Sequence, residues 1–107
     1  MDLEGSWGWS GTSAEYLFRE VIPHLHNLET MSWQQLRAQG SHPIPTDQVC
    51  KEARERLGEI GKADEDSLYS VRFTGRCRVW GIRRGVVFHL LWWDPQHSVY
   101  PVAKKNT

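Results

Sequence analysis

Arg76 and Arg78 stand two residues apart in a run rich in β-formers, so a strand there projects both guanidinium groups from one face. Arg72 can join them from the preceding strand. Guanidinium groups stay charged and donate hydrogen bonds from a planar fork, which suits phosphate oxygens. Arg83 and Arg84, at the next hairpin, extend the candidate substrate-binding set. Trp80 and Trp93 offer aromatic faces on which a base can stack. His97 follows a turn beside Ser98, and Tyr100 is close by in the chain. An imidazole next to an arginine-bearing face can act as general acid or base in phosphodiester cleavage. Each of these groups also has a structural reading. His97 would then hydrogen-bond Asp94 and brace the turn, and the arginines would pair with acidic helices or with the 64–66 loop.

Other constellations carry less chemistry. His24 and His26 are two apart on a helix, so they point apart and make a poor metal pair. His89 lies within a strand, and His42 sits in a proline-rich loop with no identifiable partner. The two cysteines, Cys50 and Cys77, make neither a disulfide framework nor a zinc set. There is no glycine-rich phosphate loop and no serine-nucleophile elbow. No metal or cofactor is expected.

The elements that must position these residues follow from length and patterning. A chain of 107 residues fits one domain, here 1–107, around one hydrophobic core. No apolar run reaches the length of a membrane span, and the start, MDLEGSWGWSG, lacks signal-peptide character. The expectation is a cytoplasmic protein with no membrane partner. Formal net charge is zero, but it is unevenly spread. Residues 1–71 hold twelve acidic and six basic side chains (−6), whereas residues 72–107 hold one acidic and seven basic (+6). That polarity points to a basic site on an otherwise acidic domain, or to a basic sheet matched internally by acidic helices.

Thr12 and Glu15 have capping-box spacing, and Ala14, Leu17, Phe18, Val21, Leu25 and Leu28 follow helical periodicity. Pro23 interrupts that stripe, so the pattern predicts a helix near 13–22 and a kinked or displaced turn over 24–28. Ser32 and Gln35 can cap a short second helix that Gly40 ends. A third helix begins at Thr46 or Asp47 and buries Val49, Cys50, Ala53, Leu57 and Ile60. Strands are expected at 68–73, 76–83, 86–93 and 97–102, with tight turns at Gly75, at Arg84-Gly85 and at Asp94-Pro95-Gln96. Helices followed by an antiparallel meander make an α+β fold, with N-terminal helices packed on a C-terminal sheet of about four strands. Alternation groups Cys77, Val79 and Gly81 with Val86, Phe88, Leu90 and Trp92 as a core side. Arg76, Arg78, Trp80 and Ile82 then share a working side with Val87, His89, Leu91 and Trp93.

The stretch LYSVRFTGRCRVWGI, the short hairpin, VVFHLLWW and the closing turn with His97 and Tyr100 resemble the C-terminal sheet of the RelE/ParE-type toxins of bacterial toxin–antitoxin modules. The likeness covers roughly the last third of the chain, residues 68–100. It implies a RelE-like, microbial-ribonuclease-like α+β fold. RelE-type members cleave mRNA, commonly on the ribosome and without a metal, whereas ParE-type members inhibit DNA gyrase. Both bind a cognate antitoxin protein. By position, Arg72, Arg76 and Arg78 match the family's basic strand residues, and His97 and Tyr100 match its closing segment.

The leading expectation is therefore a metal-independent mRNA endoribonuclease that inhibits translation. Arg76, Arg78, His97 and Tyr100 would be catalytic, and Arg72, Trp80, Arg83, Arg84 and Trp93 would bind RNA. The alternative is a non-catalytic ParE-like inhibitor or protein-interaction module on the same fold. A third reading is a nucleic-acid-binding domain without cleavage.

Overall fold

The computed structural model describes residues 1–101. Helix runs without a break through α1 (Ala14–Tyr16), a π-helical turn (Leu17–Val21) and α2 (Ile22–Leu28), and is followed by α3 (Trp33–Ala38). Next come strand β1 (His42–Pro45), a 3-10 turn (Thr46–Gln48) and α4 (Lys51–Glu59). Strands β2 (Ser67–Arg72), β3 (Arg78–Arg84) and β4 (Val87–Asp94) complete an antiparallel sheet in the order β1-β2-β3-β4. The architecture is α+β, with helices packed on a four-stranded antiparallel sheet. Among the described residues no helix is long and apolar enough to cross a membrane.

The helix ends follow local chemistry. Ser13, one residue beyond the expected Thr12, caps α1 by accepting the Tyr16 N–H at 3.1 Å. Pro23 has no N–H to donate, and its ring crowds the carbonyl four residues back. The chain absorbs this by widening the preceding turn, where the Ile22 N–H reaches the Leu17 carbonyl. The helix therefore continues through the proline to Leu28 instead of being displaced. Ser32 and Gln35 form both bonds of the capping box on α3.

The fourth strand is not where periodicity placed it. Residues 97–101 are irregular, and residue 102 lies outside the described residues. The sheet's fourth member is instead His42-Pro43-Ile44-Pro45, paired with Ser70 to Ser67. Two prolines disguise this segment as a loop, but an edge strand tolerates them because one side of it needs no donors.

Both faces of the sheet are covered. On one face Ile44, Leu68, Trp80, Ile82, Leu91 and Trp92 pack with Ala53 and Leu57 of α4, with Val49 and with Val99. On the other, Tyr69, Val71, Phe73, Val79 and Trp93 pack with Trp9 and Val21, flanked by Leu17, Leu25, Leu28 and Trp33. The β3–β4 hairpin turns at Gly85-Val86, between the pair Arg84 and Val87, one residue later than expected. That shift moves both strands alike and preserves which residues share a face. A β-bulge does not: Trp80 pairs with Trp92 and Gly81 with Leu90, leaving Leu91 as the extra residue. From there on the faces exchange, so Trp92 joins Trp80 and Trp93 goes to the opposite side. The expected working side is thus a core face over most of its length, closed by α4. Gly81 is required here, because a Cβ would meet the His89 carbonyl oxygen at 2.4 Å.

The N-terminal segment runs along β4. The Asp2 N–H donates to the Leu91 carbonyl and the Trp93 N–H to the Trp7 carbonyl, each at 3.0 Å. The Asp2 carboxylate is buried and accepts the Trp92 indole N–H at 2.8 Å, while Arg56 grips both its oxygens at 2.9 and 2.8 Å. Arg56 holds the Asp2 carboxyl below the ordinary carboxylate range. Replacing Asp2 by Ala leaves the wholly buried Trp92 N–H unpaired, and should lower unfolding free energy in urea by about 1–3 kcal/mol. Because its folded-state pKa is depressed, Asp2 contributes its full stability above the unfolded value of about 4. That contribution disappears as pH falls through the folded pKa, so Asp2→Asn should show a flatter acid limb than the wild type.

Candidate functional site

Strand register brings three expected residues to one end of the sheet. Arg72 on β2 pairs with Arg78 on β3, and Arg78 pairs with Asp94 on β4. Cross-strand partners share a face, so both arginine side chains leave the sheet on the side of Asp94, and the Arg78 guanidinium donates to the Gly75 and Cys77 carbonyls at 2.9 and 3.0 Å. The next row is His42, Ser70, Trp80 and Trp92, buried at Ser70, Trp80 and Trp92 and exposed at the His42 edge. Arg72 is exposed and Arg78 half-buried, whereas Trp80 is fully enclosed. Among the described residues no salt bridge joins Arg72, Arg76 or Arg78 to a carboxylate. Burial first, and then the like charge of Arg72, lowers the Arg78 pKa. A guanidinium nevertheless stays protonated at neutral pH, so the row presents positive charge with no ion-pair partner.

Asp94 organises this end of the sheet. Its carboxylate is wholly buried and accepts from the Trp80 indole at 3.1 Å, the Ser98 N–H at 2.8 Å, the Ser98 hydroxyl at 3.2 Å and the Val99 N–H at 3.0 Å. With its acceptor sites filled by these donors, it serves as an anchor. The Val99 carbonyl in turn accepts the Cys50 N–H at 2.8 Å, fastening the turn to the start of α4. The turn is therefore braced by Ser98 and Val99, not by a His97–Asp94 hydrogen bond.

His97 sits inside this braced turn with φ of 58°, the left-handed region that a non-glycine residue rarely occupies. Its imidazole is half-buried and lies in the field of Arg78, Asp94 and His42. Burial first, then the Arg78 charge, pushes its pKa below the ordinary histidine value, and the Asp94 carboxylate only partly opposes them. His97 is thus held neutral at neutral pH, the state that can accept a proton.

The other expected residues fall into three groups. Arg76 lies in the β2–β3 turn instead of on β3, but its guanidinium reaches across to Gln96 at 3.2 Å, on the rim of the His97 turn. Tyr100 is half-buried and packs against the core beneath α4. Trp80 and Trp93 are core residues. Trp80 is fully buried on Asp94, and Trp93 is walled by Trp9 at 5.8 Å, Phe73 at 5.2 Å and Tyr16 at 6.1 Å, so neither ring is open to a base. Arg83 and Arg84 sit at the far end of β3, about 17 and about 20 Å from Arg78 at the rise of a strand. Arg83 stacks on Trp33 at 4.2 Å and Arg84 pairs with Glu65, so they belong to the opposite end of the sheet. His24 packs on Phe73, and His26 faces Glu29.

Three contributors escaped the reading of the sequence. His42 enters through β1. Ser41 accepts the Arg72 N–H at 2.9 Å, and Gly40, with φ of 98°, lets the Arg72 stem lie where a Cβ would come within 3.2 Å of it. Asp94 did carry a signal: an Asp opening a Pro-Gln turn, with backbone donors four and five residues on, is a capping arrangement.

A groove of about 780 Å³ lies elsewhere, lined by Leu25, Leu28, Trp33, Val71, Phe88 and Leu90 among others. Val71, Phe88 and Leu90 belong to the face opposite Arg78. Comparisons with protein-family models, curated proteins and solved structures find no match.

The conformation of His97 gives a test of whether the turn is shaped for stability or for the imidazole. Glycine adopts this backbone without a Cβ penalty, so His97→Gly should raise unfolding free energy by up to about 1 kcal/mol. The wild type should also lose stability as pH falls below the unfolded histidine value of about 6.5, because the unfolded chain takes up the proton first. The glycine variant, followed by urea denaturation from pH 8 to 5, should lack that loss.

Proposed function

We propose that this protein is a metal-independent endoribonuclease of the RelE kind, acting on mRNA as the toxin of a toxin–antitoxin pair. The observation that carries the reading is the Arg72–Arg78 pair, unmatched by any salt bridge among the described residues, beside a half-buried His97 kept neutral. The ribose 2′-OH attacks the adjacent phosphorus, His97 takes its proton, and the phosphorus–5′-oxygen bond breaks. Arg72 and Arg78 stabilise the negative charge that builds on the phosphate oxygens. Arg76, on the rim, holds a neighbouring phosphate. The fit to ribosome-bound mRNA rests on the resemblance of residues 68–100.

A second reading draws on the apolar groove and on Val86, which is 89% exposed at the tip of the β3–β4 hairpin. Exposed apolar surface of this kind suits a protein partner. A cognate antitoxin is the partner the resemblance implies, and a ParE-like inhibitor would use such a surface without cleaving anything.

The two readings separate in one assay. Purified protein and its Arg78→Ala variant are incubated with RNA and chelator, with and without ribosomes. Cleavage by the wild type should fall by about 10²–10³-fold in Arg78→Ala, as for removal of one oxyanion-stabilising donor. Absence of cleavage in both settings, or equal cleavage by both proteins, overturns the ribonuclease.

A further inference from the structure

We infer that His42 is the general acid of this site, working opposite His97 as general base; the inference rests on the ribonuclease reading above. The two residues are 55 positions apart, and only the placement of β1 in the sheet unites them. His42 pairs with Ser70, so its side chain leaves the sheet on the same face as Arg72 and Arg78, which pair two residues further along β2. Ser70, the cross-strand partner of His42, is small and buried and adds no bulky side chain to that row. His97 approaches the arginine row from the other edge, on the turn after β4. The imidazoles thus flank the arginine row, one on β1 and one on the turn beyond β4. The groups facing His97 are Arg78 on β3, Asp94 at the end of β4 and His42 on β1.

The chemistry of transesterification asks for two proton carriers on opposite sides of the phosphorus. One removes the proton from the attacking 2′-oxygen, and the other delivers a proton to the departing 5′-oxygen. His97, held neutral, is suited to the first task. His42 is exposed, and among the described residues its imidazole has no side-chain partner, only a 3.5 Å approach of Nδ1 to the Pro43 carbonyl. An imidazole that is exposed and without a side-chain partner is free to face a departing oxygen. The bond from the 2′-oxygen to phosphorus forms as the bond to the 5′-oxygen breaks, the first proton passes to His97, and the second leaves His42. The products are a 2′,3′-cyclic phosphate and a free 5′-hydroxyl, and the histidines end in exchanged protonation states that water resets.

A leaving-group substitution tests this role directly. Once the wild-type cleavage site is mapped, the same RNA is made with sulfur replacing the bridging 5′-oxygen at that phosphate. A thiolate departs without a proton, so the general acid becomes dispensable while the base does not. His42→Ala and His42→Gln should cleave normal RNA at least about 10²-fold more slowly than wild type, the ordinary scale of a lost general acid. On the sulfur-bearing RNA both should recover to within about tenfold of wild type, whereas His97→Ala stays impaired on both substrates. Matched thermal melts show that the exposed His42 positions still fold. Wild-type-like cleavage of normal RNA by the His42 variants overturns the inference, as does an equal loss on both substrates. Wild-type protein that cleaves neither RNA, with or without ribosomes, overturns the ribonuclease reading itself.

Discussion

Two indole rings, Trp80 and Trp92, sit side by side on adjacent strands with no exposure to solvent, and each must find an acceptor for its N–H. Asp94 serves one and Asp2 the other. A buried carboxylate is costly unless its oxygens are fully engaged, and that condition dictates much of the surrounding chain. Asp94 recruits Ser98 and Val99, and so folds the closing turn back onto the sheet. Asp2 recruits Arg56 from α4, and so ties the first residues, the last strand and the helix into one unit. Trp7 closes the circuit by donating its indole N–H to the Ser98 hydroxyl at 2.9 Å.

This arrangement separates the sheet into regions of different use. Its middle is a core on both faces, which is why Trp80 and Trp93 are structural. One end, beyond the cover of α4, is left to Arg72, Arg78 and His97. The same buried carboxylate that satisfies Trp80 fixes the turn carrying His97, so the position of the imidazole is set by core packing. The apolar groove lies on the reverse face, so a partner seated there would leave the arginine row uncovered.

Strands β2 to β4 were legible because β-branched and aromatic residues alternate between glycine-marked turns. Arg76 and Arg78, with Arg72 from the neighbouring strand, could be grouped for the same reason, and His97 by the turn it follows; Arg76 proved to lie in the β2–β3 turn. What escaped was what a local pattern does not encode. The bulge at Leu91 exchanges the faces of Trp92 and Trp93, and adjacent tryptophans look the same under either assignment. His-Pro-Ile-Pro reads as a loop because proline removes donors, yet an edge strand spares half of them. Missing that strand hid His42. The covering of the sheet by α4 depends on long-range packing that strand alternation cannot show, and it turned the expected working side into core.

The two edges of the sheet are closed in different ways. On β4, the outward Leu91 carbonyl and Trp93 amide are met by Asp2 and Trp7 of the N-terminal segment. On β1, Pro43 and Pro45 place their donorless nitrogens on one side of the strand, which is the side turned away from β2. Neither border therefore presents the unbroken ladder of donors and acceptors that another chain needs to add a strand. A sheet dense in tryptophan, valine and leucine would otherwise be a template for self-association. Here the termination of the sheet is written into its backbone chemistry, and it leaves the molecule free to accumulate without stacking edge to edge.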